Sequence, residues 1–467
     1  MNTPSRAAHD TDTIAAVATP PGRGGIGIVR LSGPEAWGIA ARLVRLRRPL
    51  EAGRAALAEV LDPNDPEGAA IDEAVVTAFV APHSYTGDGV VEIAAHGSPV
   101  VLETLLRGAL GAGARLAGPG EFTQRAFLNG RIDLTQAEAV QDLIAAQTLE
   151  QARMAAQQLG GALSRRVAPV KEELVTLIAL LEAGMDFAAG ELDDVDVVSP
   201  EQIRTVLSRV REALERLERS YAQGHRLRDG ASLALVGRPN VGKSSLFNRL
   251  LERERAIVTP LPGTTRDTVE EAMAVGGIPL RLIDTAGLRL AGESPADEAE
   301  ALGIARSREA LADADLVVVV LDATATVSTE EMELLNSLDG RPHVIVRNKS
   351  DLLVTASQEK QEQSDSLQTS ALTGQGLGEL RAAILRLLHA EGDAATGGVL
   401  NSLRQQQAVA SALESLAAAE TANESGIPHE FLLADLHGAL RALDSLTGQT
   451  TSDDILNRIF STFCIGK

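Results

Sequence analysis

Between residues 231 and 251 the chain reads as a strand, a glycine-bearing turn and a helix, and no other segment constrains its fold so tightly. The apolar run Leu233-Ala-Leu-Val236 leads into Gly237-Arg-Pro-Asn-Val-Gly-Lys-Ser244, and the helical sequence Ser245-Leu-Phe-Asn-Arg-Leu-Leu follows. The turn matches the phosphate-loop pattern in full, in the strand-before, helix-after context that the pattern requires. Its glycines let backbone N–H groups point inward at phosphate oxygens, and the helix start adds partial positive charge. Lys243 reaches the terminal phosphates, and Ser244 offers a hydroxyl to a magnesium ion. From Ala231 apolar strands alternate with helices as far as residue 389, so an α/β domain is predicted over 228–390.

The rest of the chain is organised around that block. At 467 residues it is too long for one hydrophobic core. Aromatic residues are only 2%, with Trp37, Tyr85 and Tyr221 the sole large polar-edged rings, so cores must be built from Leu, Val, Ala and Ile. That favours helices and parallel sheet. Residues 1–129 alternate short β-like runs (Thr13 to Ala18, Gly27 to Leu31, Ala74 to Val80, Val90 to Ala94) with helical periodicity at Glu35 to Leu46 and Pro99 to Leu110. This predicts a small α+β domain. Residues 130–227 turn to long helical patterns, as at Glu172 to Leu181 and Pro200 to Leu217, and 401–463 is helical again after a linker at 391–398. One discontinuous helical domain, 130–227 with 391–467, is therefore expected to carry the α/β block as an insertion. The fold class is multidomain, α/β and α.

Further segments in the α/β block fall in an order that selects the nucleotide. Asn348-Lys349-Ser350-Asp351 follows the strand Val344 to Val346. A carboxylate there can accept hydrogen bonds from guanine N1–H and its exocyclic amine, which adenine cannot supply, and such a site rejects the analogue strongly. Ser370-Ala371-Leu372 can add a backbone N–H to guanine O6. Asp284-Thr285-Ala286-Gly287, at the end of a strand, sets a carboxylate near the metal and a glycine amide near the γ-phosphate. The Pro/Gly-rich stretch Thr259-Pro260-Leu261-Pro262-Gly263-Thr264-Thr265 has the character of a switch loop, with Thr265 completing the magnesium shell beside Ser244. Together with Asn240, Val241, Gly242, Lys243, Ser244 and Ser245 these segments specify GTP. The position after Gly287 is Leu288, which cannot orient water as a glutamine would. The acids Glu293, Asp297, Glu298 and Glu300 are the candidates for that role. A monovalent cation near the side-chain oxygen of Asn240 would replace the charge of an arginine finger.

Charge and cysteine content narrow the remaining classes. The net charge is −21 and only five of the 43 basic residues are lysine, which excludes a broad basic surface for sequence-blind polyanion binding. Arg42, Arg45, Arg47, Arg48 and Arg54 form either a local basic patch or the solvated face of a helix or loop. A single cysteine, Cys464, excludes internal disulfides and cysteine-built zinc sites. It is read either as a thiol lining a site or as a small buried residue; its distance from the end superficially suggests prenylation, but the terminal residue does not fit. His96 is open to reading as a general base or as a structural histidine. The N-terminus lacks a signal-peptide pattern, and no apolar run approaches the ~20 residues needed to span a bilayer, so a cytoplasmic protein without membrane attachment is expected.

The nucleotide motifs and the Thr264-Thr-Arg-Asp267 element resemble those of bacterial translation-factor-related GTPases. Three flanking segments narrow the resemblance: Ala-Thr-Pro-Pro-Gly-Arg-Gly-Gly-Ile-Gly-Ile-Val-Arg ending at Arg30, the stretch from Pro119 to Glu138, and Phe463-Cys-Ile-Gly-Lys467. All three are similar to the MnmE (TrmE) family of tRNA-modification GTPases, over essentially the whole chain. The resemblance implies an N-terminal folate-binding and dimerisation domain, a discontinuous helical domain and an inserted GTPase domain. It implies a homodimer that acts with the flavoprotein MnmG (GidA). The pair adds an aminomethyl or carboxymethylaminomethyl group to carbon 5 of the wobble uridine of certain tRNAs, the one-carbon unit coming from 5-formyltetrahydrofolate or a related tetrahydrofolate. By position, Asn240, Thr259, Leu261 and Thr264 would bind K⁺, Glu300 would be catalytic, and Arg30, Glu92, Arg131 and Lys467 would bind folate. The chain departs from the family pattern at Ser98, Arg131 and Leu372. A regulatory or ribosome-assembly GTPase without a direct part in tRNA chemistry is the alternative, as is a folate-binding protein that uses GTP for regulation alone.

Overall fold

The computed structural model describes residues 12–63, 65, 67–188, 198–251, 272–284, 314–353, 366–389, 397–450 and 453–466. The chain divides into two compact units, one formed by 1–141 with 444–467 and the other by 142–443.

The first unit is built on a seven-stranded sheet. Its strands are β1 (Ile14–Val17), β2 (Gly24–Ser32), β3 (Val44–Leu46), β4 (Ala55–Leu61), β5 (Ala70–Phe79), β6 (Val90–Gly97) and β7 (Arg115–Leu116), in the order β3-β4-β5-β6-β2-β1-β7. All pairs are antiparallel except β1 with β7. Alternation sends Ala56, Ala58, Val60, Ala74, Val76 and Ala78 to the face covered by helices Ala36–Leu43 and Pro99–Gly111, while Leu57 and Val75 face outward. The helix expected to reach Leu46 stops at Leu43. Val44, Arg45 and Leu46 instead pair with Val60, Glu59 and Ala58, because an extended edge satisfies the backbone of the branched Val44 better than another helical turn. Three of the five arginines of the stretch are paired with nearby acids. Arg45 pairs with Glu59 at 3.0 Å, Arg47 with Glu73, and Arg54 with Glu51 at 2.9 Å. This favours the solvated-face reading.

Residues 463–466 run back into the same unit. Ile465 bridges Pro119, and Phe460 and Phe463 are buried with Leu134, Ala137 and Leu456. At Gly120 (φ 63°) a Cβ would sit 2.9 Å from both the Phe460 carbonyl oxygen and the Phe463 Cβ, so the close approach of the two segments requires glycine. Beside it, Asp12 and Glu121 are shared between Arg115 and the buried Arg125. Burial opposes ionisation of Glu121, but the hydrogen bond from Arg115 and the Gly118 amide outweigh it and hold the carboxyl below its ordinary range.

The second unit holds a six-stranded sheet of β8 (Ala231–Val236), β9 (Ala272–Val275), β10 (Ile278–Asp284), β11 (Leu316–Asp322), β12 (His343–Asn348) and β13 (Ser366–Gln368). The order is β13-β12-β11-β8-β10-β9, parallel throughout except for the β9–β10 hairpin. β8 is buried along its whole length, and β11 feeds two cores: Val318 and Val320 pack with Leu246, Leu380 and Ile384, while Val317, Val319 and Leu321 pack with Leu338. This is why β11 reads as an unbroken apolar run rather than an alternation.

Helices Lys243–Leu251, Thr329–Ser337 and Leu377–His389 accompany the sheet, and the unit also holds Leu149–Leu159, Ala162–Ala188, Pro200–Arg219, Tyr221–Asp229, Leu403–Glu424 and most of His429–Thr447. In Pro200–Arg219, a capping box of Ser199 with Gln202 starts the helix, and Ile203, Leu207, Val210, Leu214 and Leu217 form a stripe at spacings of three and four. That stripe is buried where the helix packs along Leu403–Glu424. The places where the chain leaves and re-enters the helices are tied together. Arg228 Nε and Asn401 Nδ2 both donate to the Asp142 carboxylate, at 2.8 and 2.9 Å, and the Asp142 side chain is 8% exposed. Thr148, which caps helix Leu149–Leu159, also donates its hydroxyl to the Gly277 carbonyl in the β9–β10 turn at 2.7 Å. The fold thus comprises an N-terminal α+β part, a discontinuous helical part and an inserted α/β block. Among the described residues no helix is long and apolar enough to cross a membrane.

Candidate functional site

The parallel strands β8, β11, β12 and β13 deliver their C-terminal ends to one edge of the sheet, where α/β folds place ligands. Gly237 leaves β8 at φ 146°, and a Cβ there would run into the Val320 carbonyl oxygen of β11. Asn240 is one of two non-glycine residues with positive φ among those described, at 62°. Gly242, at φ 94°, makes room for the Asn348 amide, whose nitrogen occupies the place where a Cβ would be. The loop therefore turns tightly over the sheet edge, which brings its backbone donors to one side. Lys243 folds over it, donating from Nζ to the carbonyls of Gly237 and Arg238 at 2.7 and 2.9 Å. Ser244 and Ser245, at the start of helix Lys243–Leu251, are exposed.

Asn348 joins the sequence-identified segments. It is 2% exposed; its Nδ2 donates to the Val241 carbonyl at 3.0 Å and its Oδ1 accepts from the Ala371 amide at 3.0 Å. One buried amide thus ties the loop after β8 to the segment after β13, and both of its polar ends are satisfied. Downstream, a single 3₁₀ turn, Ser350–Leu352, turns Asp351 to the surface. Its Oδ1 accepts from Ser370 Oγ at 2.5 Å, and Ser370 Oγ in turn accepts from the Thr373 amide at 3.1 Å. The carboxylate is exposed, so it can receive further donors from a ligand. Leu372 is 78% exposed.

The motif reading missed Asp322. It lies opposite Asn348 in the β11–β12 register and receives Lys349 Nζ at 2.7 Å. Burial raises the Asp322 carboxyl, but the hydrogen bonds from Lys349 and Thr324 outweigh it and the net shift is downward. The available signal was an acid closing the apolar run Leu316 to Leu321, a charge that a buried strand would not otherwise carry.

Thr259, Pro260, Leu261, Pro262, Gly263, Thr264, Thr265, Thr285, Ala286, Gly287, Glu300 and Lys467 lie outside the described residues, as do Leu288, Glu293, Asp297 and Glu298. Asp284 closes β10 opposite Leu235, its side chain likewise outside the description. Among the described residues no group of three or more His, Cys, Asp and Glu could hold a metal ion. The donors at Gly237–Ser244 suit a different arrangement, in which a hydroxyl and phosphate oxygens share a magnesium ion.

A second cluster forms in the first unit. Arg30 and Glu92 face each other across β2 and β6 and pair at 2.8 Å. The Arg30 guanidinium lies 5.5 Å from the Tyr85 ring centroid and 5.6 Å from that of Phe122, and its Nη1 donates to the Gly466 carbonyl at 3.3 Å. Cation–π contact and the ion pair together hold a cation in a fixed place. Tyr85 OH bonds Thr123 at 2.8 Å. Arg131 is exposed, its Cγ 3.4 Å from where a Gly87 Cβ would lie. Tyr85, Phe122 and Gly466 were not among the expected site residues; Tyr85 stood out only as one of two tyrosines. Cys464 is free and exposed, with its carbonyl accepting from Gly120 at 3.3 Å. His96 is 72% exposed and bonds Asp72 through Nδ1 at 2.7 Å.

Comparison with known proteins gives the chain its relatives. Residues 134–464 match the family described as MnmE helical domain, and residues 13–131 match that described as GTP-binding protein TrmE N-terminus. The tRNA modification GTPase MnmE of Koribacter versatilis (strain Ellin345) is 55% identical over 460 residues, covering 98% of this chain and 99% of the relative. The proteins of the same name from Roseiflexus sp. (strain RS-1) and Aquifex aeolicus (strain VF5) are 44% and 40% identical over 473 and 457 residues, each again covering 98% of this chain and at least 99% of its own length. With the Gly237–Ser244 loop and Asn348 joined at one sheet edge, and relatives matched from end to end, the chain belongs to the MnmE family of tRNA modification GTPases.

Proposed function

We propose that this chain hydrolyses GTP at the Gly237–Ser244 loop and, with the flavoprotein MnmG, adds an aminomethyl or carboxymethylaminomethyl group to carbon 5 of the wobble uridine of certain tRNAs. The observation that carries the nucleotide half is the Asn348 bridge between Val241 and Ala371, because it fixes the phosphate end and the base end of one ligand relative to each other. Asp351 accepts from guanine N1–H and its amine, and the Ala371–Leu372 backbone meets O6. Lys243 exchanges the Gly237 and Arg238 carbonyls for phosphate oxygens. Ser244 and Thr265 hold Mg²⁺, whose charge balances that of the phosphates. Asn240, with Thr259, Leu261 and Thr264, holds K⁺, and Glu300 orients the attacking water. Asp284 to Gly287 flank the metal and the γ-phosphate.

The Arg30–Glu92 pair, with Arg131 and Lys467, is the proposed site for a tetrahydrofolate such as the 5-formyl form. A cation ringed by Tyr85 and Phe122 suits a flat, polar-edged heterocycle. Cys464 lines the same region. The protein is proposed to act as a cytoplasmic homodimer through its 1–129 domain, the 130–227 and 391–467 segments carrying the 228–390 GTPase domain.

Mass spectrometry of tRNA nucleosides from cells with and without the protein tests the modification role. Loss of the carbon-5 aminomethyl-type uridines is expected; unchanged nucleosides would leave a regulatory GTPase switch. The cation assignment predicts GTP turnover several-fold faster in K⁺ than in Na⁺ at equal ionic strength. Equal rates would remove Asn240 and its companions as a potassium site.

A further inference from the structure

We propose that Asp322 is a positioning residue for guanine recognition: it straps Lys349 across the sheet edge so that the lysine stem forms a fixed shelf for the base. The inference rests on the proposed reading of Asn348–Asp351 as the base-recognition segment.

Lys349 has a left-handed backbone, at φ 66° and ψ 32°, a conformation that costs a non-glycine residue on the order of 1–3 kcal/mol unless its surroundings enforce it. The turn separates the two neighbouring functional side chains. Asn348 is directed inward to Val241 and Ala371, while Asp351 stays at the surface. Between them, the Lys349 side chain crosses from the end of β12 to the end of β11, where its ammonium meets Asp322 Oδ2 at 2.7 Å. One strand spacing is about 4.8 Å, so the four-carbon stem is committed to lying along the edge rather than reaching into solvent.

Asp322 is itself immobilised. Its Oδ1 accepts from the Thr324 hydroxyl at 2.6 Å and the Thr324 amide at 2.9 Å, leaving Oδ2 aimed at the ammonium. The Ala323 amide donates to the Asn348 carbonyl at 2.8 Å, which locks the ends of the two strands together. The stem therefore lies between the phosphate loop after β8 and the Asp351–Ser370 contact on the β13 side. A ligand spanning the two must pass over methylene groups. A planar base on such a shelf keeps its edge level with Asp351; a lysine free to swing would not hold that register. The ammonium, already neutralised, adds no base contact of its own.

The test uses the full chain with GDP and IDP as probes, measured by titration calorimetry, and GTP turnover over a range of concentrations. Asp322→Asn keeps the Thr324 contacts and removes the charge partner. It should weaken GDP binding about tenfold, the loss of one charge-assisted hydrogen bond, and raise KM while kcat stays within about twofold. The preference for GDP over IDP should narrow, since the base edge is no longer held in register. Lys349→Met keeps an apolar stem without the strap and should show a similar loss. The double variant should be no worse than either single one, because both remove the same contact. Wild-type GDP affinity in Asp322→Asn, or losses that simply add in the double variant, would overturn the proposal. So would a parallel drop in kcat and melting temperature with the GDP-to-IDP ratio unchanged. Asp351→Asn in parallel separates the two claims: if it leaves guanine preference intact, the base-recognition reading fails; if it shifts preference while Asp322→Asn does nothing, the strap alone fails.

Discussion

Asp351→Asn is expected to cost GTP and GDP affinity by at least about a hundredfold and to raise affinity for xanthine nucleotides by a similar factor. In the proposed site the carboxylate accepts from two donors on guanine; an amide in its place presents a donor to one of them, and two donors facing each other leave both unsatisfied. Xanthine carries a carbonyl where guanine has its amine, so the same amide then matches it. The magnitude is set below the ten-thousandfold that fully enclosed sites reach, because Asp351 is exposed in this fold and water can partly replace the lost partner. Competition between GDP and XDP for the purified variant measures it. Unaltered preference for guanine would mean that Asp351 only braces Ser370 through their 2.5 Å hydrogen bond.

Lys243→Ala should reduce GTP turnover about a thousandfold or more, the range seen when one preorganised charge is removed from phosphoryl-transfer or oxyanion sites. The ammonium rests on the carbonyls of Gly237 and Arg238, which are acceptors in the loop itself, so it is held where the proposed chemistry needs it. Its removal leaves Gly237, Asn240 and Gly242 to set the loop, and stability should change by no more than about 1 kcal/mol. Single-turnover hydrolysis with thermal melts on the same samples makes the comparison. Turnover within tenfold of wild type would remove Lys243 from the chemistry, and a collapse of the melting temperature would make it a structural residue.

Much of this was legible in the residues because the nucleotide elements are local. A phosphate loop is one contiguous octapeptide, and Gly237 and Gly242 stand in it for reasons that follow from backbone sterics alone. Asn348 and Ala371 were identified from short words, although their mutual bond, across 23 residues, needed the sheet to bring β12 and β13 together. What stayed illegible depended on pairing. Asp322 acquires a role only from the β11–β12 register, and an acid at a strand end has many other uses. β4 was not singled out because Ala-Ala-Leu-Ala-Glu-Val-Leu alternates alanine with larger residues, and alanine also suits a helix. The overlong helix prediction at Leu46 failed for a related reason: Val44 to Leu46 continue an apolar periodicity, and only the presence of β4 alongside makes them a strand. Tyr85 and Phe122 gained significance solely from their distance to Arg30.

The return of residues 463–466 into the first unit has a consequence for how the molecule is made. The bond from Arg30 to Gly466 spans 436 residues of sequence. At a synthesis rate of about 5–20 residues per second, roughly 20–90 s separate the emergence of its two halves. During that interval the sheet of β1–β7 can form, with Arg30 against Glu92, but Gly120 faces no Phe463 and Pro119 has no Ile465 to bridge. The α/β block, whose contacts are all closer in sequence, has time to fold first. The Arg30 cluster is therefore the last part of the protein to be completed, and a nascent or truncated chain can hold a finished phosphate loop while its other candidate site is still open on one side.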